Sequence, residues 1–434
     1  MTVGRQFGKY VSQNILGMVG ISLYILADTF FISMAKGADG ITALNLVLPL
    51  YSLIYAIGAM IGVGSAIRFK ILRAKGEESA ETYFSNALVF ALLASGVFMI
   101  IGGIFPEQLI RALGGDEVII KVGTSYTRIF MSFAPFFMWN HICNAFVRND
   151  GAPSVAMTAT VVSSLFNIVM DYVLMFPFGL GMVGAALATA ISPIIGILIC
   201  CVHFFSKKST IRFRWGVPSV KKMCQSCQLG ISAFVGEISS GVTTIVFNML
   251  ILSIAGNTGV AAYGVVANTS LVAISVFNGV SQGAQPLISE YYGRGKKAAV
   301  KRLLRMGVVT SLVLALSIVG TVWWLAGDIV SVFNSEHDAV LAAYGIEGIR
   351  LYFLGFLFAG INIVGTGFLS AVEAAKMAFF TSILRGFVAI ILSAVLMSML
   401  FGMTGVWLAF PVAELITFMA TMIALQQINR KILA

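Results

Sequence analysis

Four acids lie inside otherwise apolar stretches of this chain: Asp28, Asp171, Glu237 and Glu414. An ionisable group in hydrocarbon is costly, so each is a candidate functional residue. Asp28 and Asp171 have polar company. Asn167 precedes Asp171 by four residues, and Tyr24 precedes Asp28 by four, so each pair shares a helix face. Asn140 and Asn144 repeat the spacing. Asp28, Asp171 and Thr189 each fall about 9–12 Å from the same end of their apolar stretches, at ~1.5 Å per residue. Oxygen ligands from three segments therefore meet at one depth. Two carboxylates with amide and hydroxyl oxygens can hold a hard monovalent cation or share a proton. A plainer role for Asn140 and Asn144 is interhelical hydrogen bonding. Glu237 is expected to be the main buried acid of the second half, where it would meet a cationic substrate or a second ion. Tyr126, Asn362 and Glu414 are lesser candidates for a substrate cavity.

The elements that must position these groups are membrane helices. The chain has 434 residues, 59% hydrophobic and 11% charged, with a mean hydropathy of +0.95. A soluble domain has about 25% charged residues, so a soluble enzyme and a disordered chain are both excluded. Twelve apolar segments run roughly over 10–35, 43–67, 84–105, 123–147, 153–177, 181–206, 228–253, 262–287, 304–325, 344–370, 376–400 and 404–427. They are long and lack the two-residue alternation of a barrel wall, and a helix satisfies its own backbone in lipid. The expected fold is all-α and integral to the membrane, with twelve transmembrane helices in two pseudo-symmetric six-helix bundles. With the N-terminus inside, 22 of 28 Lys and Arg fall in inner segments, so both termini are expected to be cytoplasmic. The net charge of +10 then reflects topology, and no nucleic-acid partner is implied. The first apolar run is too long for a signal-peptide core and is expected to stay in the membrane.

The two halves repeat each other. At a shift of 219, Gly37 meets Gly256, Gly64 meets Gly283 and Gly76 meets Gly295. At 222, Arg128 meets Arg350 and Asn140 meets Asn362; at 221, Gly181-Met182-x-Gly184 meets Gly402-Met403-x-Gly405. Six spans per unit give both units one orientation, related by an axis along the membrane normal, an architecture typical of secondary transporters. The expected division is an N-lobe over 1–206, a basic linker over 207–227 and a C-lobe over 228–434. The acid pair is confined to the N-lobe, because Asp28 aligns with Phe247 and Asp171 with Ser393.

Ala27-Asp28-Thr29, Asn167-Ile-Val-Met-Asp171-Tyr172 and Gly181-Met-Val-Gly184-Ala-Ala-Leu-Ala-Thr189 together resemble the multidrug and toxic compound extrusion (MATE) transporters. The resemblance covers nearly the whole chain and is greatest to the prokaryotic DinF-like and MepA-like branch. It implies an N-lobe cation site at Asp28, Asn167, Asp171 and Thr189, joined by Asn144 or Asn140 and by Tyr24 and Tyr126. The NorM-like branch has C-lobe acids on spans 7 and 10. Here Glu237 could match the first, but the span-10 position is Asn362, so a C-lobe sodium site of that type is not expected.

The resulting expectation is a monomeric efflux antiporter in a prokaryotic inner membrane. It would have no cofactor beyond H⁺ or Na⁺ as coupling ion, and would export organic cations, toxic compounds or drugs. The alternative is a lipid-linked precursor flippase, which needs several cavity cations; only Arg128, Arg350 and Arg385 lie within spans. The major-facilitator signature after span 2 is missing its Asp. The histidines at 141, 203 and 337 have no metal-ligand spacing. Cys224-Gln-Ser-Cys227 is a lone CxxC without a second pair. Gly58-x-x-x-Gly62 is expected to let helices pack closely.

Overall fold

The computed structural model describes residues 2–214, 218–334 and 338–433. His337 and residues 215–217 of the linker therefore lie outside the described residues. The chain is helical throughout, in the order α1 (Val3–Lys75), α2 (Thr82–Ile104), α3 (Pro106–Ala112), α4 (Glu117–Ser132), α5 (Ala134–Asn149), α6 (Pro153–Met175), α7 (Met182–Phe204), α8 (Val220–Gly293), α9 (Lys297–Trp324), α10 (Ala326–Phe333), α11 (Ala339–Tyr352), α12 (Phe356–Ala371), α13 (Ala375–Ile383) and α14 (Ile390–Leu433).

A straight 74-residue α8 would be about 110 Å long at ~1.5 Å per residue, several times the ~30 Å hydrocarbon core. It is broken at Gly256 (φ 63°). In the same way α1 breaks at Gly37 (φ 55°) and α14 at Gly402 (φ 59°). These left-handed values suit a residue without Cβ, so each long helix supplies two crossings. α4 and α5 form one crossing interrupted at Phe133, with Pro135 at the start of α5. Helices α11 and α12 are joined through the 3₁₀ turn Phe353–Gly355, and α13 runs into α14 through the π-helical turn Leu384–Ala389. Among the described residues twelve crossings result, as the hydropathy pattern predicts.

The repeat is written in the backbone too. Gly37 and Gly256, Gly76 and Gly295, and Gly181 and Gly402 all have positive φ, at the sequence shifts read above. Gly151 (φ 93°) falls on Glu373 (φ 60°), which among the described residues is the one non-glycine with positive φ.

The chain forms two compact units. The first is Ser12–Ile238, and the second is Met1–Val11 with Ser239–Ala434. The division falls inside α1 and α8. In the first unit, Phe69, Phe130, Phe137, Phe146 and Ile54 are fully buried. Helices approach closely at glycines there. A Cβ on Gly58 would stand 3.0 Å from Met138, and one on Gly62 3.1 Å from His141. Gly58-x-x-x-Gly62 is thus an intramolecular packing face. In the second unit, Trp407, Phe247, Phe277, Phe353 and Phe356 are the buried bulk, and Tyr352 stacks on Phe410 at 4.3 Å.

The linker is fastened to the first unit. Asp150, in the α5–α6 turn, bonds His203 Nε2 (2.8 Å), the Thr210 N–H (2.9 Å) and the Thr210 hydroxyl. Arg214 N–H donates to Ser85 Oγ, and Ser219 N–H to Asn86 Oδ1 at 2.7 Å. Lys222 lies over the Tyr83 ring. These bonds satisfy backbone donors that have no helix of their own.

Candidate functional site

The first unit brings the predicted acid cluster together. α6 has a polar stripe on its buried face: Ser164, Asn167 and Asp171 are all under 5% exposed, at the three-to-four-residue spacing of one helix side. The stripe is set against α1 by a parallel register. Gln13 Nε2 donates to Ser154 Oγ at 2.8 Å. A Cβ on Gly17 would lie 3.6 Å from Thr160, and one on Gly20 3.8 Å from Ser164. Phe31 meets Tyr172 with ring centroids 6.1 Å apart. These contacts pair residues 141 to 144 apart in sequence, and Asp28 and Asp171 differ by 143. The register therefore puts the two carboxylates level on facing helices, close enough to repel each other.

α7 closes the cluster. The turn after α6 ends at Gly181, whose positive φ starts α7, and Gly184 presses its backbone against Leu174. This tight return brings Thr189 beside Asn167. In the amide orientation that satisfies both ends, Asn167 donates to Asp171 Oδ2 (3.2 Å) and accepts from Ser192 Oγ (3.2 Å). Tyr126, from α4, is 3% exposed and lies within electrostatic reach of both acids and of Thr189. Asp171 is fully buried and Asp28 partly so. Asp28 Oδ1 and Asp171 Oδ1 are both out of solvent and without a hydrogen-bond partner, and among the described residues neither acid has a basic partner. A buried carboxylate left like this is costly unless it takes up a proton or a cation. No group of three or more His, Cys, Asp or Glu is placed to hold a metal ion among the described residues. The further polar groups beside the acid pair are the Asn167 amide N–H and the hydroxyls of Thr189 and Tyr126.

Tyr24 belongs to a neighbouring group. Its hydroxyl bonds those of Tyr51 (2.9 Å) and Tyr55 (3.4 Å). Tyr51 stacks on Tyr55 at 4.3 Å and on Phe130 at 4.9 Å. Tyr24 also lies within electrostatic reach of Asp28. The sequence reading missed Tyr51 and Tyr55, although their four-residue spacing in an apolar span was a visible signal. Ser192 was missed as well.

Three further groups of candidates fall as follows. Glu237 is exposed, not the buried acid of the second half. It falls in the first unit, within electrostatic reach of Tyr24 and Tyr55. Residues 220–238, the first part of α8, group with the first unit, ahead of the Gly256 break. Asn140 and Asn144 bond to each other (2.9 Å), and Thr160 donates to Asn144 (3.3 Å), so this pair ties α5 to α6. Glu414 and Asn362 meet in the second unit, where Glu414 accepts from Asn362 Nδ2 (2.7 Å) and from Arg385 Nε (2.8 Å). Both are under 4% exposed. Their acid is neutralised from within, and Arg385 is presented by the π-helical turn.

Two bundles of apolar helices, one of them enclosing a pair of level, unneutralised carboxylates, define a membrane transporter rather than an enzyme. The MatE family model matches residues 14–173 and again 233–395, two copies offset by the same 219 residues as the internal repeat. The chain belongs to the MatE family. It is 27% identical over 404 residues to the multidrug export protein MepA of Staphylococcus saprophyticus, covering 92% of this chain and 88% of that one. The MepA of a Staphylococcus aureus strain is likewise 27% identical over 405 residues, with the same coverage. This agrees with the MepA-like branch that the motifs resemble. Among solved structures, the fold matches that of a MOP superfamily transporter from Pyrococcus furiosus, with a TM-score of 0.92 at 19% identity over 100% of this chain and 97% of that one. An aspartate-to-asparagine variant of a Vibrio cholerae MATE transporter matches with a TM-score of 0.91 at 18% identity, over 99% and 97%.

Proposed function

We propose that this protein is an ion-coupled multidrug exporter working by alternating access, with Asp28 and Asp171 as the site of the coupling H⁺ or Na⁺. The observation that carries the reading is the level pair itself: two carboxylates on facing helices, each with a buried oxygen lacking a partner and neither opposed by a basic residue. One incoming cation relieves the repulsion and can use the hydroxyl oxygens of Thr189 and Tyr126 as well. Ion binding then shifts the balance between states by its difference in affinity for them. One charge moving through ~100 mV supplies about 2.3 kcal/mol, enough to sustain roughly a 50-fold gradient of a neutral substrate.

The relatives' names as multidrug export proteins support a drug-like substrate. The Tyr24–Tyr51–Tyr55 group with exposed Glu237 at its rim favours organic cations, since aromatic faces and a carboxylate both attract them. The chain is a multi-pass membrane protein; we place it in a bacterial inner membrane as a monomer, with both termini cytoplasmic on the distribution of Lys and Arg. A flippase for lipid-linked precursors would need grouped cavity cations. Arg385 instead is engaged by Glu414, and Arg350 stacks on Trp323.

The test is efflux of a fluorescent organic cation from proteoliposomes, with the pH gradient and the sodium gradient imposed separately. One of the two should drive uphill export in the native protein and fail in Asp28→Asn and Asp171→Asn. Full coupled export by both variants overturns the assignment.

A further inference from the structure

The second unit carries a groove of about 540 Å³ that the acid cluster does not use, lined by Trp323, Ala343, Ile346, Glu347, Arg350 and Leu351. Its position in the membrane can be read from α9. Val309, Leu312, Val313 and Leu316 recur every three to four residues and are all exposed, which marks the lipid-facing side. Trp323 lies seven residues beyond Leu316, on the same side, and is half-exposed. A tryptophan that ends such a stripe sits at the membrane–water interface. α9 has 28 residues, so at ~1.5 Å per residue it is about 42 Å long and can reach from one interface to the other.

Two opposite charges stand in this groove. The Arg350 guanidinium lies 4.9 Å from the Trp323 ring centroid and is exposed. Glu347, one turn earlier on α11, accepts from Thr404 Oγ1 at 2.6 Å. Residues three apart on a helix have Cβ atoms about 5–6 Å apart and ordinarily can bridge. Here they do not: Arg350 is held over Trp323 and Glu347 by Thr404, and among the described residues neither has an ion-pair partner. The result is a fixed plus-and-minus pair at the interface, beside an apolar wall of Ala343, Ile346 and Leu351.

We propose that this groove seats a phospholipid with a zwitterionic headgroup ending in a primary ammonium, of the phosphatidylethanolamine type. The phosphate sits on the Arg350 guanidinium, which matches its oxygens with paired N–H donors. The ammonium donates to Glu347, and an acyl chain lies along Ile346 and Leu351. The chemistry discriminates among headgroups. A quaternary ammonium has no N–H for Glu347. A phosphatidylglycerol headgroup offers the same single phosphate charge to Arg350 but brings no cation to Glu347.

The experiment is native mass spectrometry of the full-length protein, delipidated and offered an equimolar mixture of dioleoyl phosphatidylethanolamine, phosphatidylcholine and phosphatidylglycerol. The native protein should retain the ethanolamine lipid at least several-fold over the other two. Arg350→Gln should reduce that adduct about tenfold, the worth of one charge-assisted contact. Glu347→Gln, which keeps the side-chain shape, should move the preference about tenfold toward phosphatidylglycerol, a change that mere loss of folding would not produce. Trp324→Ala, at an 80% exposed neighbour outside the groove, should leave the pattern unchanged. Equal retention of the three lipids by the native protein, or an unchanged pattern in both groove variants, overturns the proposal.

Discussion

Replacing Asp171 by asparagine removes a charge and little else. The side chain is fully buried, and Oδ2 accepts from Asn167 at 3.2 Å. An asparagine oxygen can accept the same bond, so the α6–α7 packing should persist. What goes is one of two repelling charges, and with it the reason for a cation to enter. At ~100 mV the coupled ion supplies about 2.3 kcal/mol, so the native protein should hold roughly a 50-fold substrate gradient and the variant one near unity. The assay is steady-state accumulation of a fluorescent cation in oriented proteoliposomes at a clamped membrane potential. A melting curve in detergent serves as the control: the variant should melt within a few degrees of the native protein and lose the stabilisation that the coupling ion confers. Asp28→Asn should behave alike, and the double variant should be no worse than either single one, because the two acids act as a unit. A variant that still builds a gradient well above unity would refute the reasoning, as would losses that multiply in the double variant.

Thr189→Ala should weaken apparent affinity for the coupling ion several-fold without abolishing transport, about 1 kcal/mol for one neutral oxygen ligand, measured as the ion concentration for half-maximal efflux. Arg385→Ala should destabilise the second unit by about 3–5 kcal/mol by stranding the buried Glu414 carboxylate; thermal melts should show this, and adding Glu414→Gln should recover most of it. Gly230→Ala should destabilise the first unit by about 1–3 kcal/mol, since its Cβ would meet the Met60 carbonyl, which cannot move aside as a side-chain tip could; the melting temperature of Gly236→Ala, which meets nothing within 4 Å, is the comparison. Asp150→Ala should free the linker and speed limited proteolysis after Lys207 and Lys208, because Asp150 is the shared acceptor for His203 and Thr210.

Much of this was legible in the residue string. Lone acids in apolar runs stand out because hydrocarbon penalises them, so Asp28 and Asp171 could be found without coordinates. Their common depth followed from helix rise alone. The repeat was equally plain, since glycines at kinks must recur where the backbone recurs. Harder to see was which groups cancel. Glu414 looks like Asp171 in sequence, a carboxylate in an apolar span, yet Arg385 reaches it from a helix 29 residues away. The π-helical turn that aims Arg385 has no simple compositional mark. Glu237 was misplaced for a related reason: hydropathy shows where a helix crosses but not which side faces in. Asp150 sat in a turn and was passed over, because a loop acid ordinarily faces water. Its several donors come from the far end of α7 and the linker, and only folding collects them.

The exchange of helix ends between the compact units bears on how such a chain could be divided. Residues 1–11 count with the second unit, where Gln6 bonds Tyr291 and the backbone of Val11 lies against Gly283. Residues 220–238 count with the first, where Gly230 lies against Met60. A gene cut at the basic linker would therefore yield two polypeptides, each lacking a strip of its own bundle and carrying a strip of the other's. Neither product should be a self-sufficient half-transporter; like two laces tied once, they hold only when both are present.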